Sequence, residues 1–171
     1  MKHFSLPTLL LALLLPLLVG CPSLFEVSED DDPEEARIIL EKSIDNVEIG
    51  DDSTTVIVKL GEPDEIALGD YAGYLLIYTR GTHNGITVTL HSEKGVQGVS
   101  ARSPYNGFTE TGIGIGTPRE TVVQALGDPG FSAQLNNDRT KETYRYGPNS
   151  FSFVYREGKT EAVGLGGIIQ E

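Results

Sequence analysis

Residues 6–19 are apolar apart from Pro7, Thr8 and Pro16, and the chain sustains no second run of that length. About 14 residues suits the core of an export signal and falls short of the roughly 20 that span a bilayer. Beyond it the pattern takes two other forms. Ile86, Val88 and Leu90 alternate with Thr87, Thr89 and His91, while Phe151, Phe153 and Tyr155 alternate with Ser152, Val154 and Arg156. Alternation of this kind predicts strands with one apolar face, as in an antiparallel sheet backed by helices. Further strands are predicted over residues 74–79, 96–101, 142–146 and 161–165, with turns at 81–85, 92–95, 147–150 and 157–159. Helical spacing appears in Val56 with Leu60, in Val122 with Ala125 and Leu126, and in Ala36, Ile39, Leu40 and Ile44 behind a cap at Asp32 and Pro33.

These elements repeat. Residues 49–63 align without gaps on residues 115–129, and seven of the fifteen positions are identical at an offset of 66. Each copy reads as a short helix. In the second, Thr117 is the expected N-cap, Pro118 the first helical residue and Glu120 the partner in a capping box. Gly127 can take the left-handed conformation that ends a helix, and Pro129 prevents its resumption. In the first copy Asp51 or Ser53 can cap, and Gly61 with Pro63 ends the helix. The expected fold class is α+β: two tandem helix-plus-three-stranded-antiparallel-meander units sharing one sheet. The units are placed at 33–103 and 113–171, with a connecting loop at 104–112.

Charge narrows the function. Thirteen Lys and Arg stand against 25 Asp and Glu, a net charge of −12, so no basic surface is expected to bind nucleic acid. One Cys allows no intramolecular disulfide and no Cys-rich zinc site. Leu18-Val19-Gly20-Cys21 resembles the lipobox of bacterial lipoproteins, in which cleavage after Gly20 leaves Cys21 as the lipid-modified first residue. Pro22, rather than an Asp, follows that Cys, which implies the outer membrane in a Gram-negative cell. Residues 21–32 then form the lipidated Cys and an acidic tether carrying Glu26, Glu29, Asp30, Asp31 and Asp32.

The string Ile-x-x-Gly-x-x-x-x-x-Val-x-x-x-Leu-Gly-x-Pro, carried by residues 50–63 and 116–129 and followed by an aromatic-bearing meander, resembles the repeat of the SmpA/OmlA lipoproteins. Those proteins belong to the outer-membrane β-barrel assembly machinery. The same unit occurs in tandem in the β-lactamase inhibitory proteins, which are secreted and non-catalytic. The resemblance implies a non-catalytic envelope lipoprotein that acts by binding another protein.

Candidate chemistry is sparse. Residues 112–116 read Gly-Ile-Gly-Ile-Gly, but they lack the third Gly of a dinucleotide fingerprint and any Walker Lys. His83 and His91 follow the leader and could serve a base or a metal only if a carboxylate met them. Asp64 and Glu65 are adjacent and point apart on an extended chain, so a two-acid hydrolase is not supported. No Ser lies in a nucleophile motif. In the connecting loop, Tyr105, Asn106 and Phe108 are the best candidates for contact with a partner. The expected function is a membrane-anchored interaction module without cofactor or metal, with an envelope protein as partner. The alternatives are an inhibitor of an envelope or secreted hydrolase, and a small ligand-binding protein or hydrolase.

Overall fold

A computed structural model describes residues 37–69, 73–135 and 138–167. The signal-like residues 1–20, the expected cleavage site at Gly20 and Cys21, the expected acidic tether and the expected cap at Asp32 and Pro33 lie outside the described residues.

The described chain begins with three short antiparallel strands, β1 (Ile38–Ile39), β2 (Ser43–Ile44) and β3 (Val47–Glu48). The expected helix carrying Ile39, Leu40 and Ile44 therefore does not form there. Asp45 (φ 51°) and Asn46 (φ 63°) make a two-residue turn between the paired Ile44 and Val47, and positive φ at both positions suits the twist of a tight hairpin. Glu41, at φ 75°, likewise cannot continue a right-handed helix. Ile38, Ile44 and Val47 are buried, whereas Ile39 faces out.

Two helices follow at the repeat positions, α1 (Ser53–Leu60) and α2 (Arg119–Leu126). Asp52 caps α1, accepting the Thr55 amide at 2.7 Å. Asp51 instead accepts the Glu48 amide at 2.8 Å and Lys59 Nζ at 2.7 Å. The capping box expected at α2 is not made. Pro118 is the N-cap residue, and Thr117 Oγ1 accepts the Gly114 amide at 2.9 Å. Thr117 is drawn away because its carbonyl accepts both the amide and the hydroxyl of Thr160, each at 2.9 Å. Both helices end on glycine with nearly the same backbone, Gly61 at φ 81°, ψ −174° and Gly127 at φ 80°, ψ −165°. The positive φ is as expected, but ψ is extended rather than left-handed helical, a region open almost solely to glycine.

The remaining strands are β4 (Glu65–Leu68), β5 (Gly73–Ile77), β6 (Ile86–His91), β7 (Gly95–Arg102), β8 (Phe131–Gln134), β9 (Arg139–Tyr146), β10 (Asn149–Arg156) and β11 (Lys159–Gly167). They form one antiparallel sheet in the order β4-β5-β6-β7-β11-β10-β9-β8. This corrects the α+β expectation of two helix-plus-three-stranded-meander units sharing one sheet. The described residues build a mostly β protein with a large eight-stranded sheet, a separate three-stranded sheet and two short helices. Part of the error is that β4 and β8 are four residues long and lack clean alternation, so they do not stand out as strands.

Pairing fixes which side chains share a face. Leu76, Val88, Val99, Leu165, Phe151 and Tyr144 follow one another across the sheet in register, and all are buried. Val56 and Leu60 of α1 and Val122 of α2 belong to the same apolar cluster, so both helices cover this face. Each large apolar side chain buried there contributes about 1.5–3 kcal/mol. On the opposite face the corresponding row reads Ile77, Thr87, Ser100, Gly164, Ser152 and Thr143, all of them partly exposed. Among the described residues, no helix is long and apolar enough to cross a membrane.

Candidate functional site

Two places on the molecule combine unusual chemistry with access. The first surrounds Asp45, in the hairpin turn between β2 and β3. Its side chain is 4% exposed. Arg37 Nε and Nη2 donate to Oδ1 and Oδ2, each at 2.6 Å, a bidentate geometry that suits the planar guanidinium. His83 Nδ1 lies 2.6 Å from Oδ2, and the Tyr105 hydroxyl donates to Oδ1 at 3.4 Å. Arg37 also donates to the Thr82 carbonyl at 2.7 Å and to Asn106 Oδ1 at 3.0 Å, and its guanidinium carbon stands 4.8 Å from the centre of the Tyr105 ring. Burial, and after it the charge of Asp45, pushes the Tyr105 hydroxyl far above its ordinary range, so it remains a neutral donor.

The candidates in the connecting loop therefore separate. Tyr105 is 3% exposed and belongs to the core, which corrects its expected place on a contact surface. Asn106 is exposed and serves Arg37. Phe108 is half-buried, and its carbonyl accepts the amides of Arg37 and Ile38, each at 3.0 Å. Shallow clefts of about 370 and about 330 Å³ lie on either side of Asn106, one towards residues 112–117 and the other towards residues 81–84.

The meeting of His83 with a carboxylate is the arrangement a histidine base would need. Here Arg37 holds both oxygens of that carboxylate, and among the described residues no hydroxyl hydrogen-bonds the ring. The cluster ties three segments together: the β2–β3 hairpin, the turn Gly81–His83 and the connecting loop. His91 stands apart at the end of β6, where Nδ1 accepts the Glu93 amide at 3.1 Å. Asp64 accepts the Thr79 amide at 2.6 Å and Arg80 Nε at 2.5 Å, and the Thr79 bond foremost holds its carboxyl below the usual range. Its neighbour Glu65 is exposed on β4 and is not brought into that contact.

The second place is the open face of the large sheet. Thr87 and Thr89 of β6, Gly98 and Ser100 of β7, Gly164 and Gly166 of β11, and Ser150 and Ser152 of β10 lie side by side there. A Cβ at Gly164 would stand 3.0 Å from Ser152 Oγ, so larger residues would crowd the seam between β11 and β10. No motif in the sequence marks this surface. Its signal was present as period-two placement of Ser, Thr and Gly, but only strand order shows that these positions adjoin. A part-buried ion pair supports the opposite side, where the half-exposed Arg119 donates from Nε and Nη2 to Oε1 of Glu142, at 2.7 and 2.5 Å. Glu142 is 1% exposed, and its Oε2 has no hydrogen-bond partner among the described residues, while the Tyr144 and Tyr155 hydroxyls interact with each other.

No family model and no curated protein sequence matches the chain. Among solved structures it is similar in fold to an extracellular protein containing an SCP domain from Bacillus anthracis, with 14% identity, a TM-score of 0.55 and 76% of this chain covered. The aligned part spans about half of that protein, 50% of its length. It is also similar to the DUF4309 family protein YjgB from Bacillus subtilis, with 17% identity, a TM-score of 0.51, 73% of this chain and 82% of that one. A candidate β-lactamase inhibitor protein from Streptococcus mutans aligns over 72% of this chain and 88% of its own at 15% identity. Its TM-score of 0.29 is too low to carry a shared fold.

Proposed function

We propose that the chain is a non-catalytic, lipid-anchored protein of the bacterial envelope that presents the open face of its large sheet to another protein. The observation that carries this reading is the asymmetry of the sheet. One face holds the apolar core, and the other is a broad surface of threonine, serine and glycine. Short hydroxyl side chains offer donors and acceptors while losing little rotamer entropy on binding. The Asp45 cluster acts as a structural joint, its carboxylate held by Arg37 on both oxygens. An exported location is supported by the signal-like residues 1–20 and by the fold likeness to a protein that is itself extracellular. Cys21 anchors the chain through lipid, and Pro22 favours the outer membrane.

A photo-crosslinking residue placed at Ser100 on the open face, and separately at Thr54 on the exposed side of α1, tests the reading in living cells. Crosslinking of an envelope protein, identified by mass spectrometry, is expected from position 100 and not from 54. Equal products from both positions, or none from either, would refute the docking surface. Cys21→Ser should move the protein from the membrane to the soluble fraction, and a variant that stays membrane-bound would refute the anchor.

A further inference from the structure

The open face is not uniform in charge. The chain has 13 Lys and Arg in a net charge of −12, yet five of those cations, besides Lys159 opposite Arg156, sit on the open side of one half of the sheet. Arg139, Lys141 and Arg145 alternate along β9, Arg156 of β10 pairs directly opposite Arg139, and Arg102 of β7 lies in the row that runs through Ala162 and Val154 to Lys141. From strand spacings this patch measures about 20 Å along the strands and about 15 Å across them. Glu161 joins the same face, 2.5 Å from Arg139 Nη2 and 3.4 Å from Arg156 Nη2, and so offsets the two cations that oppose each other. Arg102, Lys141 and Arg145 have no ion pair among the described residues.

Apolar side chains border these cations. The strand β8 is outermost on this side of the sheet, and Phe131, Ala133 and Leu135 fall in register with Thr143, Lys141 and Arg139. Phe131 is 57% exposed and Leu135 40%. Ala133 is the short residue beside Lys141, so the ammonium can lean across β8 towards whatever lies beyond it.

We infer that this basic quarter of the sheet, together with β8, seats an acidic polypeptide segment that adds to the sheet as a strand alongside β8. The inference rests on the docking surface proposed above and names its partner's chemistry. Charge complementarity selects an anion: Arg139, Lys141 and Arg145 of β9 stand two strand spacings, about 10 Å, from such a strand and can reach its side chains across β8, and the arginine fork matches a carboxylate, while Arg102 and Arg156 lie farther in and add to the potential of the face. The apolar border and the outer edge of β8, unpaired among the described residues, select a polypeptide, which can pair its backbone and cover Phe131 and Leu135. A phosphate polymer or an anionic lipid headgroup would use the cations alone.

The test uses the full-length protein in neutral detergent and fluorescence anisotropy of a labelled peptide alternating Glu and Val over about 12 residues, long enough to run the length of β8. The same peptide with Gln in place of Glu, inorganic polyphosphate and phosphatidylglycerol vesicles serve as comparators. Binding of the Glu peptide is expected to weaken about tenfold between about 50 and 300 mM NaCl, and about tenfold in Lys141→Glu/Arg145→Glu. The neutral pair Lys141→Gln/Arg145→Gln should give an intermediate loss at unchanged melting temperature, which separates charge from folding. Phe131→Ser should weaken the Glu peptide and leave polyphosphate unaffected. Absence of peptide binding, binding indifferent to these substitutions, or binding of polyphosphate or vesicles in place of the peptide would overturn the inference. If crosslinking from position 100 persists in such a case, only the acidic partner falls. If that crosslinking also fails, the docking surface falls with it.

Discussion

Replacing Asp45 by Asn tests the joint that gathers the β2–β3 hairpin, residues 81–83 and the connecting loop. Asn keeps the side-chain size and tolerates the φ of 51° at this position, so the substitution removes the charge with little else. The native carboxylate takes Arg37 at 2.6 Å on each oxygen and meets His83 Nδ1 at 2.6 Å. An amide offers one acceptor oxygen, and its NH2 then confronts a donor, so one Arg37 bond is lost and the other loses its charge assistance. A hydrogen bond to a charged group contributes about 1.5–3 kcal/mol, and orphaning a wholly buried ion costs about 3–5 kcal/mol. The Arg37 side chain is 27% exposed, so water recovers part of that cost. A loss of about 2–3 kcal/mol follows, and with an m-value near 1.5 kcal/mol/M the urea midpoint should fall by about 1.3–2 M. The chain has no Trp and seven Tyr, so tyrosine fluorescence and far-UV circular dichroism can follow the transition. A cycle with Arg37→Gln isolates the pair, and the double variant should lose about 1–2 kcal/mol less than the sum of the singles. A midpoint shift below about 0.3 M, or a coupling indistinguishable from zero, would show that the cluster adds nothing to stability.

Gly127→Val should destabilise the fold by about 1–3 kcal/mol in urea titration, because φ 80° with ψ −165° is closed to a β-branched residue; an unchanged midpoint would refute the strain. The repeat sets Leu76 and Ser53 where the second unit has Glu142 and Arg119, and Arg119→Ser alone should cost about 3 kcal/mol by orphaning the buried Glu142. Adding Glu142→Leu should recover most of that loss, and a double variant as unstable as the single would refute the equivalence. Glu161 is held below the usual carboxyl range, first by its hydrogen bond from Arg139. Its stabilising contribution is therefore complete above about pH 4.3, the unfolded value, and is lost as pH falls through the lower folded value. Glu161→Gln should flatten the acid side of the stability–pH curve, as read by melting temperature between about pH 2.5 and 5; a parallel curve would refute the linkage.

Much of the fold was legible because it is encoded locally. The repeat at an offset of 66 located both helices and the terminal glycines 61 and 127. Alternation in residues 86–91 gave the strand that the structure shows. Ile39, Leu40 and Ile44 fit helical spacing, yet residues 38–48 form short antiparallel strands, because Asp45 and Asn46 take positive φ in a tight turn. The capping box at Thr117 failed for a non-local reason, since Thr160 claims its carbonyl.

What the sequence determined by itself was therefore the inventory: two copies of a short helix with its stop, strands with one apolar face, an acidic balance and one Cys, placed after Leu18-Val19-Gly20. Tertiary structure decided which strands adjoin. That order brings Ser100 beside Gly164, and Arg102 into one row with Lys141, although the partners in each pair are far apart in the chain. It also buries Tyr105 against Asp45, a residue that reads as an exposed aromatic in a loop until the hairpin closes over it. Periodicity reports which way a side chain points relative to its own strand, because pleating alone sets it. It carries no information on the neighbours that share a face, because that depends on pairing between distant segments, and pairing depends on the core the whole chain can bury.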